Sequence, residues 1–439
     1  MLRPRNRELL ALVPAGLLVT GGFAAIFIQS SKRLSDLSLT YGLAFLGLCV
    51  ITHLAIRFVL PDADPYLFPL AAVLASFGLV IVYRISPTLA RQQAQWYVLG
   101  LVLFAGTILF LRRHGLVVLE RYRYTIATVG IAMLVLPRLP GIGEQVNGAY
   151  LNIKLGSIKF QPAELAKLAI VIFLASYLRD TRQILAGGGR RILGVEVPPM
   201  RITGPMLLIW GAAMGMLLLT RELGTSLMFF GVFVALLYVA LGRVRFPVIG
   251  LLVIWWAGAY FISQHVGHVH ERIQAWQHPF DPVLYNKVGG SYQLAQSLFA
   301  QADGGLLGTG FNESLLQLPN GHFILPVPES DFIYSVITNE LGLAGATGLL
   351  LCYLLFVARG LKTAVLAPNS FAKLLAVGLS FIVALQVFVI VGGVTRVIPL
   401  TGVTMPFVAY GGSSVVMNFV LLGLLLAVSD RARREMASG

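Results

Sequence analysis

One carboxylate in this 439-residue chain is held as a reacting group has to be held. Asp281 lies in Trp276-Gln277-His278-Pro279-Phe280-Asp281-Pro282, and the two prolines stiffen the backbone on either side of it. A carboxylate fixed in depth this way can take a proton as a general base. The competing reading is an Asx-turn beside proline, with no chemistry. Gly289-Gly290 then breaks the chain, and a helix is expected to begin around Tyr292. At helical spacing Gln293, Gln296 and Ser297 share one face, and Leu294 and Leu298 another. Neutral hydrogen-bonding groups in a stripe suit a sugar or its amides. A helix lying on the bilayer surface would carry the same stripe. Gly304-Gly305 and Gly308-x-Gly310 are expected to end that helix.

Other charges sit where charge is costly. Glu164 and Lys167, in Phe160-Gln161-Pro162-Ala163-Glu164-Leu165-Ala166-Lys167, follow a proline suited to a first helical turn and fall at i and i+3 on one face. Arg221 and Glu222 stand between two apolar blocks, and Arg396 ends Val391-Gly392-Gly393-Val394-Thr395-Arg396 just outside another. Ionisable groups at membrane depth usually mark function, although groups near a span's end also snorkel or pair. Arg396 could meet an anionic phosphate or anchor to a headgroup. His265, His268, His270, His278 and Glu271 match no zinc spacing, and scattered loop histidines are the simpler reading.

The composition says what must position these groups. The chain is 57% hydrophobic and 12% charged, with mean hydropathy +0.81. Soluble domains carry about 25% charged residues, so the fold class is an all-α polytopic membrane protein. Runs of about 20 apolar residues give twelve expected spans: 9–29, 38–60, 67–84, 92–111, 123–139, 162–178, 202–220, 224–242, 246–264, 331–357, 371–394 and 403–429. The two blocks flanking Arg221 could be two helices or one broken helix. The first run follows Arg3, Arg5 and Arg7 without a small-residue cleavage site, and reads as a retained span. With the N-terminus in the cytoplasm, most of the 33 basic residues fall in inner segments, as the positive-inside rule requires. The net charge of +14 is then an orientation signal and no sign of nucleic acid. Both termini are cytoplasmic, and the polar run 265–330, the long loop that carries Asp281, is extracytoplasmic. Gly187-Gly188-Gly189 reads as an inner linker, since no strand precedes it as in a phosphate loop. Cys49 and Cys352 lie in apolar blocks, so no disulfide is expected.

The motifs, in order, resemble the SEDS family (shape, elongation, division and sporulation) of RodA- and FtsW-like proteins. The carrying residues run from Asn147 to Lys167 and include Glu222-Leu223-Gly224-Thr225, Asp281-Pro282, and Tyr292-Gln293 with Gln296-Ser297. They continue with Ser330-Asp331-Phe332-Ile333, Asn339-Glu340-Leu341-Gly342, Pro399-Leu400-Thr401-Gly402, and Pro406 through Ser414. Together they cover most of 123–430. The family's usual ten spans leave two extra N-terminal ones here, as in the longer RodA-like members. Residues 1–122 then hold N-terminal spans and 123–439 the glycosyltransferase core. Tyr150, Asn152 and Thr220-Arg221-Glu222 depart from the family pattern.

The resemblance implies a peptidoglycan glycosyltransferase of the cytoplasmic membrane. Its substrate would be lipid II, a disaccharide-pentapeptide on undecaprenyl pyrophosphate, and its partner a class B penicillin-binding protein. By motif, Asp281 falls on the family's essential loop aspartate, and Glu164 and Lys167 on its acid and base pair. Chemically, Asp281 would take the acceptor hydroxyl's proton in an inverting displacement, since no second carboxylate is placed as a nucleophile. Lys167, Arg221 and Arg396 are the cations available to the leaving pyrophosphate, and a divalent ion, Mg or Mn, is a candidate to share that role. Glu222, Gln293, Gln296 and Ser297 complete the expected substrate contacts. Two other classes compete. A lipid II flippase would place its site near the midplane and keep translocating after Asp281→Ala. A non-catalytic scaffold would tolerate loop changes but not changes on the span surface.

Overall fold

Apolar runs can satisfy their backbone groups in lipid only as helices or closed barrels, and this chain uses helices. The computed structural model describes residues 4–29, 36–146, 149–156, 158–186, 190–192, 195–197, 200–242, 267–287, 289–314 and 323–438. The first helices are α1 (Pro4–Ala11), α2 (Val13–Gln29), α3 (Asp36–Val59), α4 (Leu67–Ile85), α5 (Pro87–His114), α6 (Val117–Arg121) and α7 (Arg123–Val135). Three short strands follow: β1 (Gly143–Val146), β2 (Ala149–Leu155) and β3 (Ile158–Phe160). After α8 (Pro162–Ala186) comes a hairpin of β4 (Arg190–Ile192) and β5 (Val195–Val197), and then α9 (Met200–Leu219) and α10 (Leu223–Leu241). The polar run holds α11 (Gly267–Gln277), α12 (Pro282–Asn286) and α13 (Tyr292–Gly304). Three long helices close the chain: α14 (Ile333–Leu366), α15 (Ser370–Val394) and α16 (Gly412–Ser438).

Among the described residues nine helices are long and apolar enough to cross a membrane. The expected span at 123–139 is α7 extended by the 3-10 turn Leu136–Arg138, and that at 162–178 is the 25-residue α8, which opens on Glu164 and Lys167. The expected span 246–264 lies outside the described residues, as does His265. The blocks flanking Arg221 are two helices. Arg221 itself has φ +67, which breaks the helical path between α9 and α10. Local caps set other ends: Ser86 accepts from the Leu89 amide ahead of Pro87, and Asn369 from the Ala372 amide.

The centre of the bundle is α15 and α16. Of α16's apolar window 83% is buried, against 22% for α9, which faces outward. α5 packs along α16, α7 along α8, and α14 along α15. Ion pairs fasten the end of the bundle that carries both termini. Glu8 pairs with Arg5 and lies 2.8 Å from His53 Nδ1, while Asp64 takes Arg359 and Arg433. At the opposite end β1–β2–β3 form an antiparallel sheet, with Gly143 opposite Ile153 and Ile153 opposite Phe160. The Tyr150 amide donates to the Thr220 carbonyl at 3.2 Å, so the sheet rests on the α9–α10 break.

Two glycines hold the polar run to the bundle. Gly342 has φ +65 inside α14, and Gly308 has φ +87 in the loop after α13. The loop crosses the kink through backbone bonds: Thr309 N to Asn339 O at 2.9 Å, Leu343 N to Gly305 O at 2.9 Å and Ala344 N to Leu306 O at 3.1 Å. A Cβ at Gly308 would overlap the Glu340 carbonyl, and one at Gly342 the Leu306 carbonyl. With positive φ added to the overlap, Gly308→Ala is expected to destabilise the protein by more than about 1 kcal/mol. An unfolding midpoint equal to wild type would contradict this close approach.

Candidate active site

Asp281 sits on the exposed surface of the polar run, at the N-cap of α12. Its Oδ1 accepts from the Val283 and Leu284 amides at 2.9 and 3.0 Å, and Pro282 at the first helical position presets the turn. The Asx-turn, the reading without chemistry, is thus observed, and it uses Oδ1 for both amides. Around it, Gln296 Nε2 donates to the Tyr285 hydroxyl at 2.7 Å, and Tyr285 meets Tyr292 edge to face at 5.2 Å. Gln293 is half-buried on the same helix. Ser297 turns inward. It is fully buried, 2.7 Å from Ser335 Oγ, and donates to the Val394 carbonyl at 3.2 Å. Phe280 stacks on Phe299 at 5.4 Å, and both are exposed.

A second polar cluster is buried at the head of α8. Lys167 Nζ lies 2.7 Å from Glu164 Oε2 and 3.2 Å from Gln386 Oε1 of α15, and Gln386 donates onward to the Thr404 carbonyl at 2.7 Å. Glu164 and Lys167 are each 5% exposed. Beside them Glu222, at the N-cap of α10, accepts from Thr225 Oγ1 at 3.0 Å and Gln161 Nε2 at 3.4 Å. The Gln161 amide donates to Ser413 at the start of α16. No hydrogen bond or ion pair joins Asp281 to Glu164, Lys167 or Glu222. The sequence-derived residues thus fall into an exposed part and a buried part.

Burial pushes the Glu222 carboxyl up to about 7, against the pull of its bonds from Thr225 and Gln161. With the folded value above the ordinary one of 4.5, the neutral form is favoured on folding. Its stabilising contribution is complete below about 4.5 and is lost as pH rises through about 7. Glu222→Gln, which cannot ionise, is therefore expected to gain stability relative to wild type between pH 5 and pH 8. An unfolding-midpoint difference that does not vary with pH would contradict a protonated Glu222.

Arg221 is exposed at the α9–α10 break. Arg396, also at positive φ (+63), gives two of its donors to backbone: Nε to the Trp276 carbonyl at 2.9 Å and Nη2 to the Gln277 carbonyl at 2.7 Å. Among the described residues no three His, Cys, Asp or Glu side chains stand together as metal ligands.

Two groups here, Gln386 and Asn418, gave no sequence signal, and Glu340 appeared only within a family motif, with no role attached. Gln386 and Asn418 lie inside apolar runs, and Asn418 donates to Ser414 at 3.2 Å. Glu340, fully buried, holds Arg84 at 3.3 Å and accepts from the Asn312 amide at 3.1 Å. Besides its motif, the clue to a role for Glu340 was an acid standing in an apolar span. Between α5, α7, α8 and α16 runs an apolar cavity of about 610 Å³, walled by Leu103 and Phe110 of α5, Val129 of α7, Leu165 and Leu168 of α8, and Leu424 of α16.

A family model described as a cell cycle protein, and named for FtsW, RodA and SpoVE, matches residues 66–434. The peptidoglycan glycosyltransferase RodA of Mycobacterium tuberculosis is 39% identical over 453 residues, covering 98% of this chain and 92% of that protein. The stage V sporulation protein E of Bacillus subtilis is 30% identical over 378 residues, covering 84% and 98%. A solved chain from a peptidoglycan synthase complex, reported as coordinating polymerization and crosslinking, superimposes with TM-score 0.67. It is 27% identical and covers 84% of this chain and 98% of that one.

Proposed function

The chain belongs to the FtsW, RodA and SpoVE family of cell cycle proteins, and from that premise we propose how its residues carry out the reaction. It is a multi-pass membrane peptidoglycan glycosyltransferase. The observation that carries the mechanism is Asp281: an exposed carboxylate on a proline-set cap in which Oδ1 takes both cap bonds and, among the described residues, Oδ2 takes none. The donor and acceptor are lipid II molecules at the extracytoplasmic face. Asp281 takes the proton of the acceptor sugar hydroxyl as that oxygen attacks the anomeric carbon. The new C–O bond forms as the bond to pyrophosphate breaks, and the electron pair leaves on the pyrophosphate. One base and no enzyme nucleophile make this a single displacement with inversion.

Negative charge grows on the leaving group, and fixed positive charge lowers that barrier. Arg221 is exposed to receive it. Lys167 is sealed against Glu164 and Gln386, so it fixes the polar floor under the donor. Gln293 and Gln296 face the sugar or its amides. The apolar cavity beside α8 takes isoprene units of the carrier tail, which is why the site has to stand at a bilayer. A class B penicillin-binding protein, the transpeptidase that crosslinks the product, is the expected partner. The relative from a synthase complex supports that pairing.

The test is purified protein given lipid II, alone and with a cognate transpeptidase. Glycan polymer should form, and each new linkage should have the anomeric configuration opposite to the donor's. Retained configuration would overturn the single displacement. No polymer under either condition would overturn the assigned reaction.

A further inference from the structure

The hydrogen bonds of Asp281 among the described residues are local, to the Val283 and Leu284 amides and, through its own backbone, to His278 and Tyr285, so its place follows from the elements on either side. The C-terminus of α11 lies four residues before it, and α13 begins eleven residues after it. Both elements are fastened to one short turn, 394–400, at the end of α15. On one side Arg272 Nη1 donates to the Leu400 carbonyl at 3.1 Å. One helical turn later Trp276 Nε1 donates to the Arg396 carbonyl at 3.0 Å. Arg396 answers with its guanidinium on the Trp276 and Gln277 carbonyls. These are last-turn carbonyls of α11, which lack helical partners and form the negative end of the helix dipole. On the other side Ser297 and Gln301 of α13 donate to the Val394 carbonyl at 3.2 and 2.9 Å. The positive φ of Arg396 is a conformation that a non-glycine residue adopts only where its surroundings enforce it. Here it faces the arginine's carbonyl and its side chain toward the same indole-bearing turn.

Asp331, on the approach to α14, and Arg272 reinforce the seat. Asp331 is half-buried beside Gly402, desolvation raises its carboxyl to about 6, and the charge of Arg272 opposes that rise. Ser330, which donates to Asp331 at 3.2 Å, and Glu329 are its other polar neighbours.

We propose that Arg396 is a positioning residue for the glycosyl transfer: its bidentate hold on the end of α11 fixes the depth of the Asp281 carboxylate against the bound sugar. This rests on Asp281 as the base. It assigns Arg396 a role other than binding the donor's phosphates. A displacement of about 1 Å at a reacting group costs on the order of 100-fold.

The experiment is lipid II polymerisation kinetics with Arg396→Lys, which keeps the charge but lacks the planar fork that holds the two carbonyls in fixed geometry. The expected result is kcat lower by roughly 10- to 100-fold, KM for lipid II unchanged, and faster hydrogen exchange at the amides of 278–286. Trp276→Phe, which removes the reciprocal bond and leaves Arg396 intact, should shift kcat the same way. In an Asp281→Asn background Arg396→Lys should cost nothing further. A raised KM with unchanged kcat and unchanged exchange would make Arg396 a phosphate ligand and overturn the proposal. Wild-type kinetics in Arg396→Lys would overturn it as well. Full activity of Asp281→Asn would remove the base beneath it, and that outcome is read separately from the exchange data.

Discussion

Lys167→Met is expected to destabilise the protein by about 3–5 kcal/mol, because it strands Glu164 as an unpaired charge in a buried site. Glu164 and Lys167 are both 5% exposed, and they are 2.7 Å apart. Gln386 Oε1 would lose its donor too. Glu164→Gln leaves the lysine stranded in the same way. The double change Glu164→Gln with Lys167→Met removes both charges, and such replacements are often nearly neutral. The single effects should therefore not add. Thermal unfolding of the four proteins in one detergent checks this, and a double variant as unstable as the summed singles would mean the pair is not coupled. The double variant also separates roles. If the pair only shapes the floor of the site, glycan synthesis survives at a reduced rate. If Lys167 meets the donor's pyrophosphate, synthesis is lost while the fold persists.

The second large effect is on rate alone. Asp281→Asn keeps an oxygen for the Val283 and Leu284 amides, and asparagine caps helices as well as aspartate does. Stability should therefore be unchanged. An amide cannot take the acceptor proton, so the rate should fall by about 100- to 10,000-fold. Asp281→Ala loses base and cap together. It should be equally slow, and less stable by about 1 kcal/mol. Equal rates with unequal stabilities separate the chemical role from the structural one at a single position.

What was legible in the sequence was local. Asp281 stood out because prolines bracket the carboxylate, and the observed cap uses that bracketing. The paired glycines at 289–290 announced α13, and the i, i+3 spacing of Glu164 and Lys167 became an ion pair. Arg221 marked a real break. What was not legible depends on groups far apart in the chain. Arg396 read as a phosphate or headgroup partner because its carbonyl acceptors lie about 120 residues earlier. Ser297 shares a face with Gln293 and Gln296 by spacing, yet it is buried against Ser335, 38 residues away. The sheet between 143 and 160 was not foreseen. Its strands are three to seven residues long, with too little alternation to stand out from a loop. Gln386 was hidden by the apolar run around it, although it joins the Lys167 cluster to α16.

The proposed reaction turns on the Asp281 carboxylate, whose Oδ1 caps α12. Its most direct test is the initial rate of glycan formation by Asp281→Asn in liposomes supplied with lipid II, beside wild type at equal protein and equal unfolding midpoint. The predicted rate is below about 1% of wild type. A rate within about a factor of two of wild type, in a variant that folds equally well, would show that the proton goes elsewhere.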